Sequence, residues 1–347
     1  MGADLSLSAT ELGWVVTAFG FGRLAMDLPA GRLADKADPL RLFALAAVAM
    51  AVASGLIAAA TSLAVVLVAA CLLGVGSATG NTTGMTAMSG AAPAERRGSA
   101  MALYSGSLLV GQALGPVLGG LTAAAGSWRT AAAAGAGLGV AVAGGAMLAR
   151  RSGAGDLARA VRRERPAPVG PPLSAMQHAV LYGVAFSVFL TVGAMPQTLI
   201  PVIGAHDLGL GSAAIGLALG AGGLARMVGA ALTGTVSDRV SRRAALLPCL
   251  ALQAGGVALL AVDEATTWWL LAIVAMSLGS SGHAVGATML GDRARPEALG
   301  RALGRYRFVG DIGLVSGPVL AAWLYDVAGS GVAITVVCAA LLVVLLL

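Results

Sequence analysis

Charge is what this sequence has least of. Asp, Glu, Lys and Arg together make up only 11% of its 347 residues, too few to solvate the surface of a soluble chain of that length. Aromatic residues stand at 4%, and of the 22 basic residues only Lys36 is a lysine. The net charge of +6 therefore comes from arginines, most of which lie in short gaps between apolar runs. There is no basic stripe with interleaved aromatics, which excludes a nucleic-acid partner. The three cysteines, Cys71, Cys249 and Cys338, all sit inside apolar runs and form neither a disulfide framework nor a metal site. Ser281 and His283 are two apart on a helix, where side chains do not face each other. With no nucleophile–base pair and no metal cluster, neither an enzyme nor a cofactor is expected. The N-terminus lacks a basic stretch and a cleavage site ahead of an apolar core, so it is no signal peptide.

What the chain has in abundance is apolar. Hydrophobic residues reach 58%, the mean hydropathy is +0.87, and glycine totals 50. Small residues let helix backbones approach closely in lipid, where packing replaces the hydrophobic drive. A spanning helix needs ~20 mostly apolar residues. Eleven runs qualify: 12–33, 40–60, 63–88, 99–122, 129–148, 176–203, 212–236, 243–262, 267–290, 301–325 and 331–347. They are too long and continuous for the alternation of a membrane barrel, so the expected fold is an all-α, polytopic membrane protein embedded in the lipid bilayer.

The connections between the runs alternate in charge. One set holds Lys36 and Arg41, Arg96 and Arg97, then Arg150, Arg151, Arg159, Arg162, Arg163 and Arg165, and further on Arg239, Arg242, Arg243, Arg293 and Arg295. The other set has Arg129 as its only basic residue. The basic set is cytoplasmic by the positive-inside bias. This puts residues 1–11 outside, with nothing upstream to carry them across, so one span is expected to be missing before Met1. The last run ends in bare leucines without a basic anchor, so the C-terminus is read as clipped too. The preference for arginine over lysine suits a GC-rich bacterial genome, making the cytoplasmic (inner) membrane the expected location.

Residues 149–175 are charged, then rich in proline and glycine, as a linker is. They divide the chain into halves, 1–148 and 176–347, that repeat at an offset of about 202 residues. Arg23, Gly31 and Asp35 recur as Arg226, Gly234 and Asp238. Gly80, Gly84, Glu95, Gly98, Tyr104, Gly111, Gly115 and Pro116 recur as Gly282, Gly286, Glu297, Gly300, Tyr306, Gly313, Gly317 and Pro318. Both halves have the same orientation. Parallel repeats of this kind suit a transporter with a midplane site between them.

On these residues the chain resembles the major facilitator superfamily over essentially its whole length. The resemblance implies a two-half helical bundle whose first span is absent here, acting as a monomer on a small-molecule substrate. The family's loop motif is matched by GTVSDRVSRR, at Gly234, Asp238, Arg239, Arg242 and Arg243, and less completely at Gly31, Asp35 and Lys36, where Asp38 and Pro39 replace the usual Gly and Arg. An acid at a helix end beside arginines makes a charge lock that opens when the halves rock. The run GQALGPVLGG matches the family's antiporter signature at Gly111, Gly115, Pro116, Gly119 and Gly120. Proline bends the helix and the glycines offer a smooth face for a neighbour. The second half keeps only Gly313, Gly317 and Pro318, an asymmetry that the resemblance associates with efflux.

Ionisable residues inside a membrane are functional suspects. Arg23 and Asp27 lie four apart on one helix face; Arg226 is the mate of Arg23; His283 is the mate of Asn81; Asp311 follows Arg305 and Arg307. Asp27, Asp311 and His283 are the candidates for binding protons, against a structural role in ion pairs or packing. The arginine that many proton-coupled relatives carry before a Gly-x-Gly has no counterpart in AACLLGVG, residues 69–76. The expected function is export of a small, hydrophobic molecule by alternating access, in antiport with protons. The alternatives are a proton symporter importing a nutrient or metabolite, and a non-transporting membrane fragment or sensor.

Overall fold

The computed structural model describes residues 2–91, 97–151, 173–262, 265–293 and 299–346. After a single turn at Gly2–Leu5, these residues form eleven long helical segments. We label them α1 (Ala9–Lys36), α2 (Pro39–Ala59), α3 (Leu63–Ala91), α4 (Arg97–Ala125) and α5 (Trp128–Arg151), then α6 (Ala175–His206), α7 (Ser212–Arg239), α8 (Arg242–Leu259), α9 (Thr266–Gly279 and Gly282–Arg293), α10 (Leu299–Ala328) and α11 (Ser330–Leu346). Each falls within a few residues of an apolar run. Eight are long and apolar enough to cross a membrane. The other three are α1, which holds Arg23, Asp27 and Arg32, and the shorter α8 and α11. The linker read at 149–175 falls mostly on residues outside the description.

The helix ends follow from local chemistry. Ser8 and Glu11 form a capping box at α1, and Ser174 and Gln177 form one at α6, satisfying N–H groups that the first turn leaves orphaned. Asp38 caps α2, accepting from the N–H groups of Leu40 and Arg41 at 3.0 and 3.2 Å ahead of a helix that begins with Pro39, the usual place for proline. Ser241 caps α8 at the matching point of the later half. Arg129 donates to the Ala58 carbonyl at 2.9 Å and stacks on Trp128, so this arginine closes the C-terminus of α2. Inside α6 the ladder widens to a π turn at Met195–Leu199, beginning beside Pro196, and such turns frequently mark functional sites.

The largest core lies among α6 to α11, around Met195, Leu199, Ile200, Val257, Trp269, Ile273, Met276 and Leu341. Its one indole donates to the Ile200 carbonyl at 3.3 Å. On α4 and α5 large apolar side chains point outward, among them Leu103, Leu118, Leu138 and Leu148. These are faces that a bilayer covers.

The repeat has a structural basis. The Tyr104 hydroxyl donates to the Asn81 carbonyl and Tyr306 to the His283 carbonyl, each at 2.9 Å. Each ring lies over a glycine, Gly84 or Gly286, where a Cβ would collide with it. Gly76 meets the Ala46 carbonyl and the Met50 N–H; Gly279 meets the same atoms of Cys249 and Gln253. The register slips by one residue between Gly76/Gly279 and Gly80/Gly282, where α9 is broken at Ser280–Ser281.

Candidate functional site

Helices α1–α5 meet helices α6–α11 chiefly through two crossings, α4 on α7 and α1 on α10. At the first, Gly120 and Gly216 are close enough that a Cβ on Gly216 would come within 2.9 Å of the Gly120 Cα. A Cβ on Gly223 would meet Ala113 Cβ at 2.8 Å, and Gly220 faces Val117. At the second, a Cβ on Gly13 would meet Ala322 Cβ at 2.8 Å, and Gly20 lies on Val315. Thr17 donates to the Val315 carbonyl at 2.8 Å. The Asp326 carboxylate accepts from both the N–H and the hydroxyl of Thr10, at 2.7 and 2.6 Å. These contacts occupy the ends of the four helices that the charge pattern assigns to the outside.

The antiporter-type run thus sits in a helix crossing, but most of its glycines do not make it. Gly111, Gly115 and Gly119 have nothing within 4 Å of a built Cβ. The packed face is Ala113, Pro116, Val117 and Gly120, spaced as one helix face, and the close approach depends equally on Gly216, Gly220 and Gly223 of α7. Those three went unread in the sequence; their spacing within GLALGAGG was the available signal.

Deeper along the same crossing Arg226 donates to Gln112 Oε1 at 3.0 Å, from α7 to α4. Its repeat mate Arg23 donates to Ser77 of its own half at 3.1 Å, with its guanidinium 5.9 Å from the Phe19 ring centroid. Asn81 accepts from Tyr104 at 2.8 Å. His283 Nδ1 lies 2.8 Å from the Ser280 carbonyl, an acceptor only, so Nδ1 carries the proton and Nε2 is the open nitrogen. The imidazole also stands edge-on to Phe189, with centroids 5.4 Å apart, and Phe189 packs on Gly310. Beside that glycine Asp311 is 1% exposed and lies 3.8 Å from Arg307 Nε, one turn back. The side chains of Asp27, Gly31, Asp35 and Lys36 fall outside the described residues.

At the helix ends that the charge pattern assigns to the cytoplasm, Arg242 ties three helices together. It donates to Asp238 Oδ1 at 2.8 Å, to Ser237 at 2.7 Å and to Asp292 Oδ2 at 3.2 Å. All four residues belong to the later half. Arg239 and Arg243 are exposed, and Gly234 has nothing within 4 Å of a built Cβ, so no helix crosses closely there. In the earlier half Asp38, one of the departures from the loop motif, pairs with Arg150 of α5 at 3.1 Å. Burial pushes the Asp38 carboxyl up, but the Arg41 N–H, the Arg150 guanidinium and the Leu40 N–H outweigh it and hold it below the usual carboxylate range. The residue thus works as a helix cap and an interhelical tie.

The profile described as Major Facilitator Superfamily matches residues 1–205 and, a second time, residues 181–347. The riboflavin transporter RibZ of Clostridioides difficile (strain 630) is 29% identical over 119 residues, which are 34% of this chain and 26% of that protein. Among solved structures, a bacterial homologue of the human lysosomal transporter Spinster, inward-facing and occupied, matches with a TM-score of 0.73 at 17% identity, covering 98% of this chain and 85% of that one. The nucleoside transporter NupG also matches with a TM-score of 0.73, at 11% identity, covering 100% of this chain and 91% of that one. At such identities the likeness is one of fold.

Proposed function

This chain belongs to the Major Facilitator Superfamily and is a multi-pass secondary transporter rather than an enzyme; from that premise we propose that it exports a small, hydrophobic molecule by alternating access, in exchange for protons. The observation that supports this reading best is the seat of Ala113, Val117 and Gly120 on Gly216, Gly220 and Gly223. In this reading the antiporter-type run lies in the contact that closes the outer face. Together with the α1–α10 crossing we read it as the outer closure of an inward-facing state, with 1–148 and 176–347 as the two rocking bodies joined by 149–175.

Opening to the outside separates these two crossings and brings the cytoplasmic ends together. There Asp35, Lys36, Asp238, Arg239, Arg242 and Arg243 would form the lock of the opposite state. Asp238 and Arg242 are held within one body here, as parts of a lock awaiting its other side. Asp311 is the carboxyl we assign to proton coupling, with Asp27 and His283 as the alternatives. Its protonation weakens the pairing with Arg307 and so links proton binding to the placement of α10, which forms one crossing. Everted membrane vesicles test this. Proton-driven accumulation that Asp311→Asn abolishes supports the assignment, and accumulation unchanged in the variant sinks it.

A second reading, uptake of a nutrient by proton symport, is favoured by the names of the relatives, a riboflavin transporter and a nucleoside transporter. Accumulation of the solute by intact cells, rather than by everted vesicles, would select it.

A further inference from the structure

Arg226 stands midway along α7 (Ser212–Arg239), where a charge is costly unless something answers it. Among the described residues its one hydrogen-bond partner is the neutral amide of Gln112, and no carboxylate pairs with it. An amide oxygen satisfies one N–H of the guanidinium and none of its charge. The surrounding helices offer no other acid. Helices α4, α6 and α8 contain neither Asp nor Glu. The acids of α7 and α9, Asp238 and Asp292, lie at the helix ends and are bonded to Arg242.

The first half is built differently. Arg23 has Asp27 one turn along its own helix face, and the mate of Asp27 is Ala230. Arg23 also donates to Ser77, whereas Ser280, the mate of Ser77, donates to the Ser277 carbonyl at 2.8 Å. The second half thus keeps the arginine without either of the groups placed to hold it. Arg226 reaches across to the other half instead.

The guanidinium has one closed side and one open side. On the closed side, the cleft between Thr191, Pro196, Gln253 and Ser280 has room for about one water molecule. The Gln253 Oε1 there is buried without a hydrogen-bond partner, and a carbonyl oxygen repels an anion. On the other side Gln112 is exposed. On the same face of α4, one and two turns towards the end that the charge pattern assigns to the cytoplasm, Leu108 and Ser105 are exposed as well. Gly234, two turns beyond Arg226, has nothing within 4 Å of a built Cβ. The two helices have parted there, so Arg226 and Gln112 sit at the apex of a wedge that opens towards that end.

From this geometry we infer that Arg226 and Gln112 seat an oxyanion headgroup, and that the preferred solute is a small lipophilic monocarboxylate. The planar guanidinium fork fits both oxygens of a carboxylate, and the Gln112 amide adds N–H donors from the facing helix. Leu108 and Ala230, one turn along each helix, offer apolar surface to the rest of the molecule. A phospholipid headgroup does not compete, because it stays at the membrane surface while Arg226 lies midway along its helix. The inference rests on the transport reading above and adds the charge of the solute.

The test is equilibrium binding at neutral pH to the full chain in phosphatidylcholine nanodiscs, without any gradient and with empty nanodiscs subtracted. Fluorescent 7-methoxycoumarin-4-acetate is compared with its uncharged methyl ester. Wild type should bind the carboxylate at least about tenfold more tightly than the ester. Arg226→Gln keeps a donor for Gln112 and loses the charge. It should remain folded, bind the carboxylate at least about tenfold more weakly than wild type and leave the ester within about twofold. Arg226→Lys, which keeps the charge without the fork, should fall between. Equal affinity of the two probes for wild type, binding of neither, or a preference that survives Arg226→Gln would each overturn the inference. Neutral and cationic dyes make no use of this seat, so their gradient-driven uptake in vesicles stands or falls separately.

Discussion

Gly216→Leu should push the molecule toward its outward-open state. A Cβ at Gly216 would lie 2.9 Å from the Gly120 Cα and 3.3 Å from its nitrogen, and it would also press on the Pro116 carbonyl. Those neighbours are backbone and cannot rotate away, so α4 and α7 must separate by roughly an ångström before the rest of the leucine is placed. Overpacking of this kind costs about 1–3 kcal/mol. The outward state, which breaks this contact, does not bear that cost. The equilibrium should therefore move by about 5- to 150-fold. Paired spin labels in a background free of Cys71, Cys249 and Cys338 read the shift. Labels at Ser62 and Val262, both exposed on the outer face, should move apart. Labels at Leu33 and Val240, exposed near the cytoplasmic ends, should approach. A folded variant with both distance distributions unchanged would refute the assignment of this crossing as the outer closure.

Three further outcomes follow from named contacts. Asp326→Ala removes both hydrogen bonds to Thr10. At about 1 kcal/mol for a partly exposed, charge-assisted pair, a cysteine placed at Thr17 should react with an impermeant maleimide about fivefold faster, and an unchanged rate would deny that these bonds help hold the α1–α10 crossing closed. Asp38→Asn keeps the helix cap but loses the ion pair with Arg150, so its Tm should fall by about 1–3 °C at neutral pH. Because the Asp38 carboxyl is held low in the folded state, its contribution is present above the unfolded value of about 3.9 and is lost as pH falls. The two melting curves should draw together as the pH falls from about 4 through the lower folded-state value, and a gap that stays constant over that whole range would contradict the ion-pair account. Asp311→Asn should abolish proton-driven transport while leaving the Tm within about 2 °C of wild type, a split that a misfolded protein would not show.

The helices were legible because apolar runs, capping residues and charged gaps each speak for themselves. The run at 12–33 became Ala9–Lys36, extended by a capping box whose Ser8 and Glu11 stand plainly in the sequence. The repeat was legible for a physical reason: Tyr104 and Tyr306 need Gly84 and Gly286 beneath them, so the spacing is held by contact. What stayed hidden was which face of a helix meets which neighbour. A glycine-rich run such as GQALGPVLGG shows that close approach is allowed, but not that Gly120 alone among its glycines makes it. Gln253 was overlooked because one polar residue in an apolar run looks tolerable until its carbonyl oxygen is found empty. Asp38 stood out only as a departure from a motif, and its work as a cap depends on α2 starting at Pro39.

Transport in everted vesicles tests the central claim most directly. Membranes holding the full chain are energised to acidify the vesicle interior, and uptake of neutral and cationic lipophilic fluorescent dyes is followed against chain-free membranes. The account predicts accumulation inside the vesicles that collapses when a protonophore dissipates the gradient. Solute accumulation by intact cells instead, or dye uptake indifferent to the proton gradient, would contradict it.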